Sequence, residues 1–362
     1  MKLDLSKLSN IGIDRIAISN FKINNFKDLQ KIEILNKLSF TQQLKLNDDN
    51  YSFSYCNTTK ENGEEYDVSV LEFNPTRIFT GFNLYNSNME TLKKSIDYVE
   101  TCFKNNGIEL DLTEAKIKEL EINITLPIDF SSLNDVIALF GKANNKGLGI
   151  YAIDPWEDSI KKMSKLGTFY INSKRKTGKV IKIYDKSLEL QIKKNLFLPE
   201  QLTRVEVLFG RDYFREIMLK KGLDNSLDSF LNLKDTDIEV FFKEALKKEL
   251  VINVKKSLKQ IENKIKYQFN NFRKNERIKR TERKRLISLG KDVPSYLKEE
   301  RGVFKYLVEN SWVFDFSYLI KLCELVESKN KKSYFNQLKK YSNINNLEIY
   351  NDFISRIFNS AN

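Results

Sequence analysis

The sequence predicts an α+β protein in which an antiparallel sheet with helices on one face is followed by a mostly α-helical region. Three observations predict this fold class. Strand-like alternation of apolar and polar residues recurs before Gly222, amphipathic helical patterns lie between those segments, and no strand pattern follows Gly222. With 362 residues, of which 41% are hydrophobic, the chain is long enough for two domains with separate cores. We predict a first domain at residues 1–222 and a second at residues 223–362.

Six segments of the first domain predict strands, because apolar residues occupy every second position and Gly, Pro or Asn lie at their edges. In chain order they are 13–21, 66–74, 119–128, 166–173, 179–186 and 202–210. In the third segment, Leu120, Ile122 and Ile124 share one face, whereas Glu121 and Asn123 share the other. The sheet should therefore have one apolar face, packed against helices, and one polar face.

Three amphipathic helices are predicted among the strands, at residues 88–107, 131–147 and 210–222. After the last strand, a long amphipathic helix is predicted from Asp235 to about Asn270. A basic stretch and several shorter helical segments follow, the last of them "EIYNDFISRIF". The second domain should therefore be built from helices.

Cysteine and histidine usage excludes several classes of site. Cys56, Cys102 and Cys323 lie far apart without paired spacing, which fits neither a disulfide framework nor a zinc site and favours a reducing cytosol. The chain contains no histidine, so no imidazole can act as a base or a ligand. The amino-terminal residues lack the apolar core of a signal peptide, and no run reaches about 18 apolar residues. These observations predict a cytoplasmic protein with no membrane contact.

The basic charge of the chain is concentrated in one stretch. The formal net charge is +12, and residues 255–285 contain 13 Lys or Arg against three Glu. Such a density favours nucleic acid as a partner, although a solvated helix face would also account for it. The residues predicted to contact DNA phosphates are Arg273, Lys274, Arg277, Lys279, Arg280, Arg283, Lys284 and Arg285.

The predicted polar face of the sheet collects a set of chemically capable side chains. They are Glu121, Asn123, Tyr184, Lys186, Arg204 and Glu206. A solvated sheet face with cross-strand ion pairs would explain this set without any function. The alternative is a metal-dependent nucleophile site, since Glu and Asn oxygens suit Mg²⁺ or Mn²⁺ and a phenol with a pKa of about 10 needs a nearby cation to act at neutral pH. Both interpretations remain open at the level of the residues.

Short motifs in this region resemble those of rolling-circle replication initiators. "KIYDKSLEL" followed by "TRVEVLF" is similar to the Tyr-Asp/Asn-Lys…Glu and Arg-[Ile/Val]-Glu signatures of the Rep_trans plasmid initiators, related conjugative relaxases and filamentous-phage gene-two endonucleases. "LEFNPTRIFTGFNLYN" resembles the phage-type segment F-S-P-x-K…G-x-N, with Asn74 and Arg77 in place of Ser and Lys. "ELEINITLPIDF" resembles their R-I-D segment, with Glu121 and Asn123 in place of Arg and Asp. The resemblance covers roughly residues 66–215.

The resemblance implies an activity and a role for several residues. Such initiators nick one strand of an origin with a tyrosine, remain linked to the 5′ phosphate and leave a 3′ hydroxyl for polymerase. Here Tyr184 would be the nucleophile, and Lys186 and Arg204 would neutralise phosphate charge. Glu206, with Asn123 or Glu189, would hold a divalent Mg²⁺ or Mn²⁺ ion. The implied partners are double- and single-stranded origin DNA, host helicase and polymerase, and a second copy of the chain.

Three other functions are compatible with the sequence. A tyrosine recombinase would be basic and could use Tyr350, but it usually needs an Arg…His-x-x-Arg constellation and this chain has no histidine. A non-enzymatic DNA-binding regulator descended from an initiator would explain Asn123. A conjugative relaxase would use the same cleavage. Origin recognition would require base contacts, for which we predict a helix within residues 300–345.

Overall fold

The computed structural model describes residues 8–25, 43–47, 51–59, 63, 65–81, 83–144, 151–153, 167–171, 178–294 and 346–359. These residues fall into two compact units. The first contains the described residues up to Asn134, from Asn144 to Lys248, and from Ser355 onward; the second contains those within 135–143 and 249–354. The predicted boundary at residues 222–223 lies within the first unit, and the division into two domains stays a prediction.

A nine-stranded sheet forms the centre of the first unit, with the strand order β3-β4-β5-β1-β7-β11-β10-β9-β8. Each neighbouring pair is antiparallel. The strands are β1 Gly12–Ser19, β3 Gln43–Asn47, β4 Tyr51–Thr59, β5 Glu65–Phe73, β7 Lys116–Leu126, β8 Tyr151–Ile153, β9 Thr168–Ile171, β10 Lys179–Asp185 and β11 Thr203–Gly210. The short strands β2 Lys22–Ile23 and β6 Leu110–Asp111 form a separate pair.

Helices account for most of the remaining described residues. They are α1 Pro75–Thr80, α2 Met89–Asn105, α3 Asn134–Asn144, α4 Lys186–Lys194, α5 Arg211–Lys220, α6 Leu227–Leu231, α7 Asp235–Leu246, α8 Asn253–Ser288 and α9 Asn346–Asn359. A 3₁₀ helix at Phe130–Leu133 precedes α3, and a π-helical turn at Lys247–Ile252 joins α7 to α8. The combination of an antiparallel sheet with these helices confirms the predicted α+β class. Within the described residues, no helix is long and apolar enough to cross a membrane.

The core of the first unit forms where the apolar face of the central strands meets helices. Ile122, Val205 and Ile181 are fully buried on β7, β11 and β10. Helices α5, α6 and α7 pack against these central strands, and Phe214 of α5 meets Phe230 of α6 with their ring centroids 5.6 Å apart. Burial of these side chains removes apolar surface from water, which is the main force that holds the sheet to its helices.

All six predicted strands are present, and the structure adds the hairpin of β3 and β4, which the sequence pattern did not predict. The aromatic residues of β4 alternate with serines, and their burial depends on distant partners. Phe53 packs against Phe21 and Phe103 with centroid separations of 5.6 and 4.7 Å. A tertiary aromatic cluster therefore stabilises a strand whose local pattern is weakly apolar.

Two predicted element boundaries are wrong: one strand ends earlier than predicted, and one helix continues further. The strand predicted at 179–186 ends one residue earlier, because the Asp185 side chain accepts a hydrogen bond from the Leu188 backbone at 2.9 Å and caps α4. Lys186 is therefore the first residue of a helix. The helix predicted to end near Asn270 continues through the basic stretch to Ser288. The helix predicted from "EIYNDFISRIF" is confirmed as α9, whereas residues 300–345 lie outside the described part of the chain.

Candidate active site and carboxylate cluster

The antiparallel register of β7, β11 and β10 places the predicted polar residues beside one another. Tyr184 lies opposite Arg204, and Lys182 lies opposite Glu206. On the other side of β11, Glu206 lies opposite Asn123. Residues that face each other in an antiparallel pair project to the same side of the sheet, so these five side chains share the polar face, as the alternation predicts.

Three buried carboxylates form a group on this face. Oxygens of Asp14, Glu121 and Glu206 all lie within 4.8 Å of one another. We call these three residues the carboxylate cluster. Three carboxylates this close repel one another unless a cation compensates them, and oxygen donors of this kind suit hard divalent ions. The donor set therefore fits a divalent metal ion.

Asp14 was missed by the sequence analysis because strict alternation would place it beside Ile16 and Ile18 on the apolar face. The register of β1 against β7 shifts between Ile13 and Arg15, so Asp14 is the extra residue of a β-bulge. This irregularity turns the Asp14 carboxylate to the polar face, where Asn74 donates a hydrogen bond to its Oδ1 at 2.9 Å. An acidic residue inside an otherwise apolar strand was the one signal that marked the position.

Two cations compensate part of the cluster's charge. Lys182 Nζ donates to Glu121 Oε1 and lies 3.2 Å from Glu206 Oε2. Arg15 Nε donates to Glu121 Oε2 at 3.1 Å. Burial alone would raise the pKa of Glu121, but the charges of Lys182 and Arg15 outweigh it and hold that pKa below its ordinary value. Burial, together with the charge of Glu121, raises the pKa of Glu206 to about 7. Of these two carboxylates, Glu206 therefore holds a proton more readily near neutrality.

Tyr184 is in direct contact with the cluster. Its hydroxyl donates a hydrogen bond to Glu206 Oε1 at 2.6 Å, and its side chain lines the cleft although the residue is only 8% exposed. Burial and the charge of Glu206 raise the pKa of Tyr184 well above 10, so the phenol keeps its proton in this environment. Lys186 Nζ lies 5.8 Å from the centre of the tyrosine ring.

Lys186 and Glu189, both predicted site residues, form an ion pair beside Tyr184. Lys186 Nζ donates to Glu189 Oε2 at 2.7 Å and to Asn83 Oδ1 at 3.1 Å. Burial, and then the charge of Arg204, lower the pKa of Lys186 to about 8. Although burial opposes the change, Lys186 and Lys193 lower the pKa of Glu189 to about 2. Two lysines engage the Glu189 carboxylate outside the cluster, and its predicted role as a metal ligand stays a prediction.

Arg204 supports the site from within the protein. It is fully buried, its Nε donates to Thr125 Oγ1 at 2.8 Å, and its Nη2 donates to the backbone oxygens of Asn83 and Leu84 at 2.7 and 2.8 Å. Its Nη1 lies 3.6 Å from Asp14 Oδ1. The guanidinium therefore holds the backbone at Asn83 and Leu84 and places positive charge beside the cluster. Its predicted contact with a phosphate is not tested by this arrangement.

Asn123 is fully buried, and neither polar atom of its side chain has a hydrogen-bond partner among the described residues. Its backbone oxygen accepts a hydrogen bond from Asn86 Nδ2 at 3.1 Å. On β1, the residue opposite Asn123 is Gly12. A Cβ added at Gly12 would lie 2.6 Å from the Ser87 backbone oxygen. The backbone at Ser87 therefore approaches β1 closely enough to require glycine at position 12. The role of Asn123 as a metal ligand stays a prediction.

The cluster opens into a cleft of about 550 Å³. Its lining includes five cations and several polar groups; the cations are Arg15, Arg77, Lys182, Lys193 and Lys194. Of the tyrosines nearest to Tyr184 in sequence, Tyr170 also lines the cleft, whereas Tyr213 stacks on Phe209 with a centroid separation of 5.7 Å. The combination of an acidic floor, a phenol and cationic walls is suited to a phosphate-containing ligand held by a metal ion.

The predicted DNA-binding residues lie on α8 in the second unit. Lys274, Lys284 and Arg285 are exposed, and Lys279 and Arg283 are half-buried. The side chains of Arg273, Arg277 and Arg280 are outside the described set. DNA binding by this helix stays a prediction. In the same unit, the Tyr350 hydroxyl donates to the Leu250 backbone oxygen at 2.9 Å, and burial raises its pKa to about 12.

No protein-family profile matches the chain, and no curated protein matches it. Among solved structures it is similar to a rolling circle replication initiator protein from Geobacillus stearothermophilus, with 11% sequence identity over 57% of this chain and 77% of that chain. The TM-score of that comparison is 0.29, which is too low to support a conclusion about this protein.

Proposed function

We propose that this protein is a rolling-circle replication initiator that nicks and rejoins one strand of an origin through a 5′-phosphotyrosine intermediate. The observation that carries the proposal is the hydrogen bond of 2.6 Å from Tyr184 to Glu206, a member of the carboxylate cluster, at the floor of a cleft with cationic walls. A nucleophile, a candidate metal site and phosphate-binding charge thus lie together. The Tyr-Asp-Lys and Arg-Val-Glu motifs that resemble those of initiators supply two of these residues.

The carboxylate cluster is the proposed site of a divalent ion, Mg²⁺ or Mn²⁺. Asp14, Glu121 and Glu206 would hold it, and a bound ion would supply Lewis-acid polarisation of a phosphate oxygen. Asn123, which lies opposite Glu206, and Glu189 remain the further candidates from the sequence. The cluster shares Glu206 with the predicted ligand set of Glu206, Asn123 and Glu189, and its other two members are Asp14 and Glu121.

The chain's own residues account for the proton and the bonds of the proposed step. Tyr184 would pass its hydroxyl proton to the ionised carboxylate of Glu206 and attack the phosphorus, so that a Tyr–O–P bond forms and the bond from phosphorus to the 3′ oxygen breaks. The proton would then pass to the departing 3′ oxygen, leaving a 3′ hydroxyl. Reversal of the same steps with a new 3′ hydroxyl rejoins the strand. Lys186, beside the tyrosine ring, would favour charge on the phenolic oxygen.

The proposal extends to the rest of the chain. Residues 1–222 would cleave DNA, and residues 223–362 would bind origin duplex through the basic residues of α8. Host helicase and polymerase and a second copy of the chain would be further partners, in the cytoplasm. This part rests on charge and on the resemblance alone.

The decisive experiment replaces Tyr184 with phenylalanine. Wild-type protein should nick a supercoiled plasmid that carries the DNA flanking its own gene, in the presence of Mn²⁺. Tyr184→Phe keeps the ring and should fold normally, but nicking should fall by orders of magnitude, because no other group forms the covalent link. A 3′-labelled oligonucleotide identifies that link, since a 5′-phosphotyrosine lies on the downstream fragment.

Matched variants at Tyr170, which lines the same cleft, and at Tyr213 provide the controls. Tyr170→Phe and Tyr213→Phe should retain the labelled adduct. An adduct that persists in Tyr184→Phe, or whose peptide maps to Tyr170 or Tyr213, would overturn the assignment of the nucleophile.

A non-enzymatic DNA-binding regulator is the second candidate, because Tyr184 is buried and its pKa is raised rather than lowered. The same assay separates the two functions. Wild-type protein that binds the flanking duplex but forms no adduct with Mg²⁺ or Mn²⁺ would be such a regulator. A conjugative relaxase would nick in the same way and would differ in the origin that it recognises.

A further inference from the structure

The cations that line the cleft differ in whether a carboxylate already neutralises them. Arg15, Lys182 and Lys193 each form ion pairs, with distances of 2.6 Å from Arg15 to Glu72 and 2.8 Å from Lys193 to Glu189. Arg77 and Lys194 also line the cleft, but neither forms an ion pair with a carboxylate of the described residues. Among the described cations of the cleft, these two are the ones whose charge no described carboxylate offsets.

Arg77 differs from Lys194 in being partly buried, with one side-chain nitrogen that has no hydrogen-bond partner among the described residues. Its Nε is inaccessible to water and has no hydrogen-bond partner among the described residues. A buried N–H without an acceptor is costly, and more so in a charged group, so an anionic ligand bound beside the guanidinium would stabilise it. Lys194 is exposed, and water can solvate it fully.

The backbone of Arg77 is fixed next to the carboxylate cluster. The Asn74 side chain accepts a hydrogen bond from the Arg77 backbone at 2.7 Å, and its amide donates to Asp14 Oδ1 at 2.9 Å. One side chain thus joins the start of α1 to a cluster member. Thr76, in the same turn, is hydrogen-bonded through its hydroxyl to the hydroxyl of Ser87. The start of α1, which carries Arg77, is therefore held beside the cluster.

We propose that Arg77 is a phosphate-binding residue that holds a phosphodiester of a single DNA strand beside the carboxylate cluster. Its planar fork matches two oxygens of one phosphate, which a lysine ammonium does not. A cleft of about 550 Å³ has the volume of a small-molecule site, which is enough for a segment of one strand. This inference rests on the proposed function, whose chemistry requires a phosphodiester at the cluster.

The test measures single-strand binding in the Tyr184→Phe background, which prevents cleavage. A 5′-fluorescein-labelled 12-nucleotide single strand of mixed sequence is titrated with protein by fluorescence anisotropy at several salt concentrations with Mn²⁺. Adding Arg77→Gln should weaken binding about tenfold and lower the log–log salt slope by about 0.7, as expected for one lost phosphate contact. Arg77→Lys should keep the slope but lose about threefold in affinity, because it keeps the charge and loses the fork.

Arg215→Gln is the matched control, since Arg215 is exposed on α5 and does not line the cleft. It should bind within about twofold of the parent, because it removes the same charge elsewhere. Mn²⁺ binding, followed by electron paramagnetic resonance, should be the same for Arg77→Gln and the parent. Should Arg77→Gln fail to fold, the affinity and slope of Arg77→Lys decide the question.

The outcomes separate this inference from the proposed function. Equal affinity and slope for parent, Arg77→Gln and Arg77→Lys would overturn the role of Arg77, even if Tyr184-dependent nicking persists. An equal loss in Arg215→Gln would also overturn it, because the effect would then be general charge. A wild-type protein that neither binds the strand nor nicks DNA would remove the proposed function together with the inference.

Discussion

Replacing Glu206 with glutamine should stabilise the metal-free protein and weaken its stabilisation by divalent ions. Burial and the neighbouring Glu121 raise the pKa of Glu206 from its ordinary value of 4.5 to about 7. Between those two pH values the folded protein holds a proton that the unfolded chain has released. The stability that this group contributes is therefore complete below pH 4.5 and is lost as the pH rises through about 7. Glutamine stays neutral and avoids that loss.

The magnitude follows from the same two values. One pH unit corresponds to about 1.4 kcal/mol per proton, so ionising Glu206 in the folded protein costs about 3 kcal/mol at pH 8. At pH 5 Glu206 stays protonated in the folded protein, and the loss of stability is only about 1 kcal/mol, because this pH lies about half a unit above the pKa of the unfolded carboxyl. The free energy of unfolding of Glu206→Gln should thus exceed that of the wild type by about 1 kcal/mol at pH 5 and about 3 kcal/mol at pH 8. Lys186, whose pKa is about 8, is present in both proteins and largely cancels in the difference.

Urea unfolding followed by circular dichroism, at several pH values with EDTA, measures this difference. Repeating it with Mn²⁺ should stabilise the wild type and have a smaller effect on the variant, since one cluster ligand has lost its charge. Glu216→Gln on the exposed side of α5 is the control and should show no such pH trend. A Glu206→Gln variant that is less stable than the wild type at pH 8 would refute the interpretation of Glu206 as a strained carboxylate.

Two further perturbations test other parts of the molecule. Arg204→Met should lower the free energy of unfolding by about 3 kcal/mol or more, because it uncouples the loop at Asn83 and Leu84 and leaves their buried oxygens without a donor; an unchanged urea midpoint would show that Arg204 does not hold this loop. Charge reversal at Arg280, Arg283 and Arg285 should weaken duplex binding on every sequence and lower the log–log salt slope by roughly 0.9 for each lost phosphate contact. Unchanged affinity and slope in an electrophoretic or anisotropy titration would place the duplex surface elsewhere.

The strands and helices of the first unit were predictable because their signals are local. Period-two alternation locates the six predicted strands and places Tyr184, Arg204 and Glu206 on one face, as the strand register confirms. The hairpin of β3 and β4 was not predictable in the same way. Its buried Phe53 depends on Phe21 and Phe103, which lie far away in the sequence.

The candidate site was predictable in part. Glu206 and Tyr184 could be located from the pattern, but the contact between them depends on the strand register, which alternation alone does not specify. Lys186 was expected on the strand, and the capping by Asp185 instead makes it the first residue of a helix while keeping it beside the tyrosine. Side-chain direction within a strand is predictable because it depends on local alternation, whereas the contact between Tyr184 and Glu206 depends on residues that are distant in the chain.

Four properties of this protein depend only on residue type and spacing. They are the α+β class, the alternation of the central strands, the concentration of basic charge and the absence of imidazole chemistry. Tertiary structure alone decided that the bulge at Asp14 brings a third carboxylate to Glu121 and Glu206. It also decided that Arg204 is enclosed and that Arg77 lines the cleft without a carboxylate partner among the described residues. These properties depend on which strands pair and in which register. The pKa of a buried side chain then follows from the exclusion of water and from the charges around it in space, because its neighbours in the chain are not the groups that surround it.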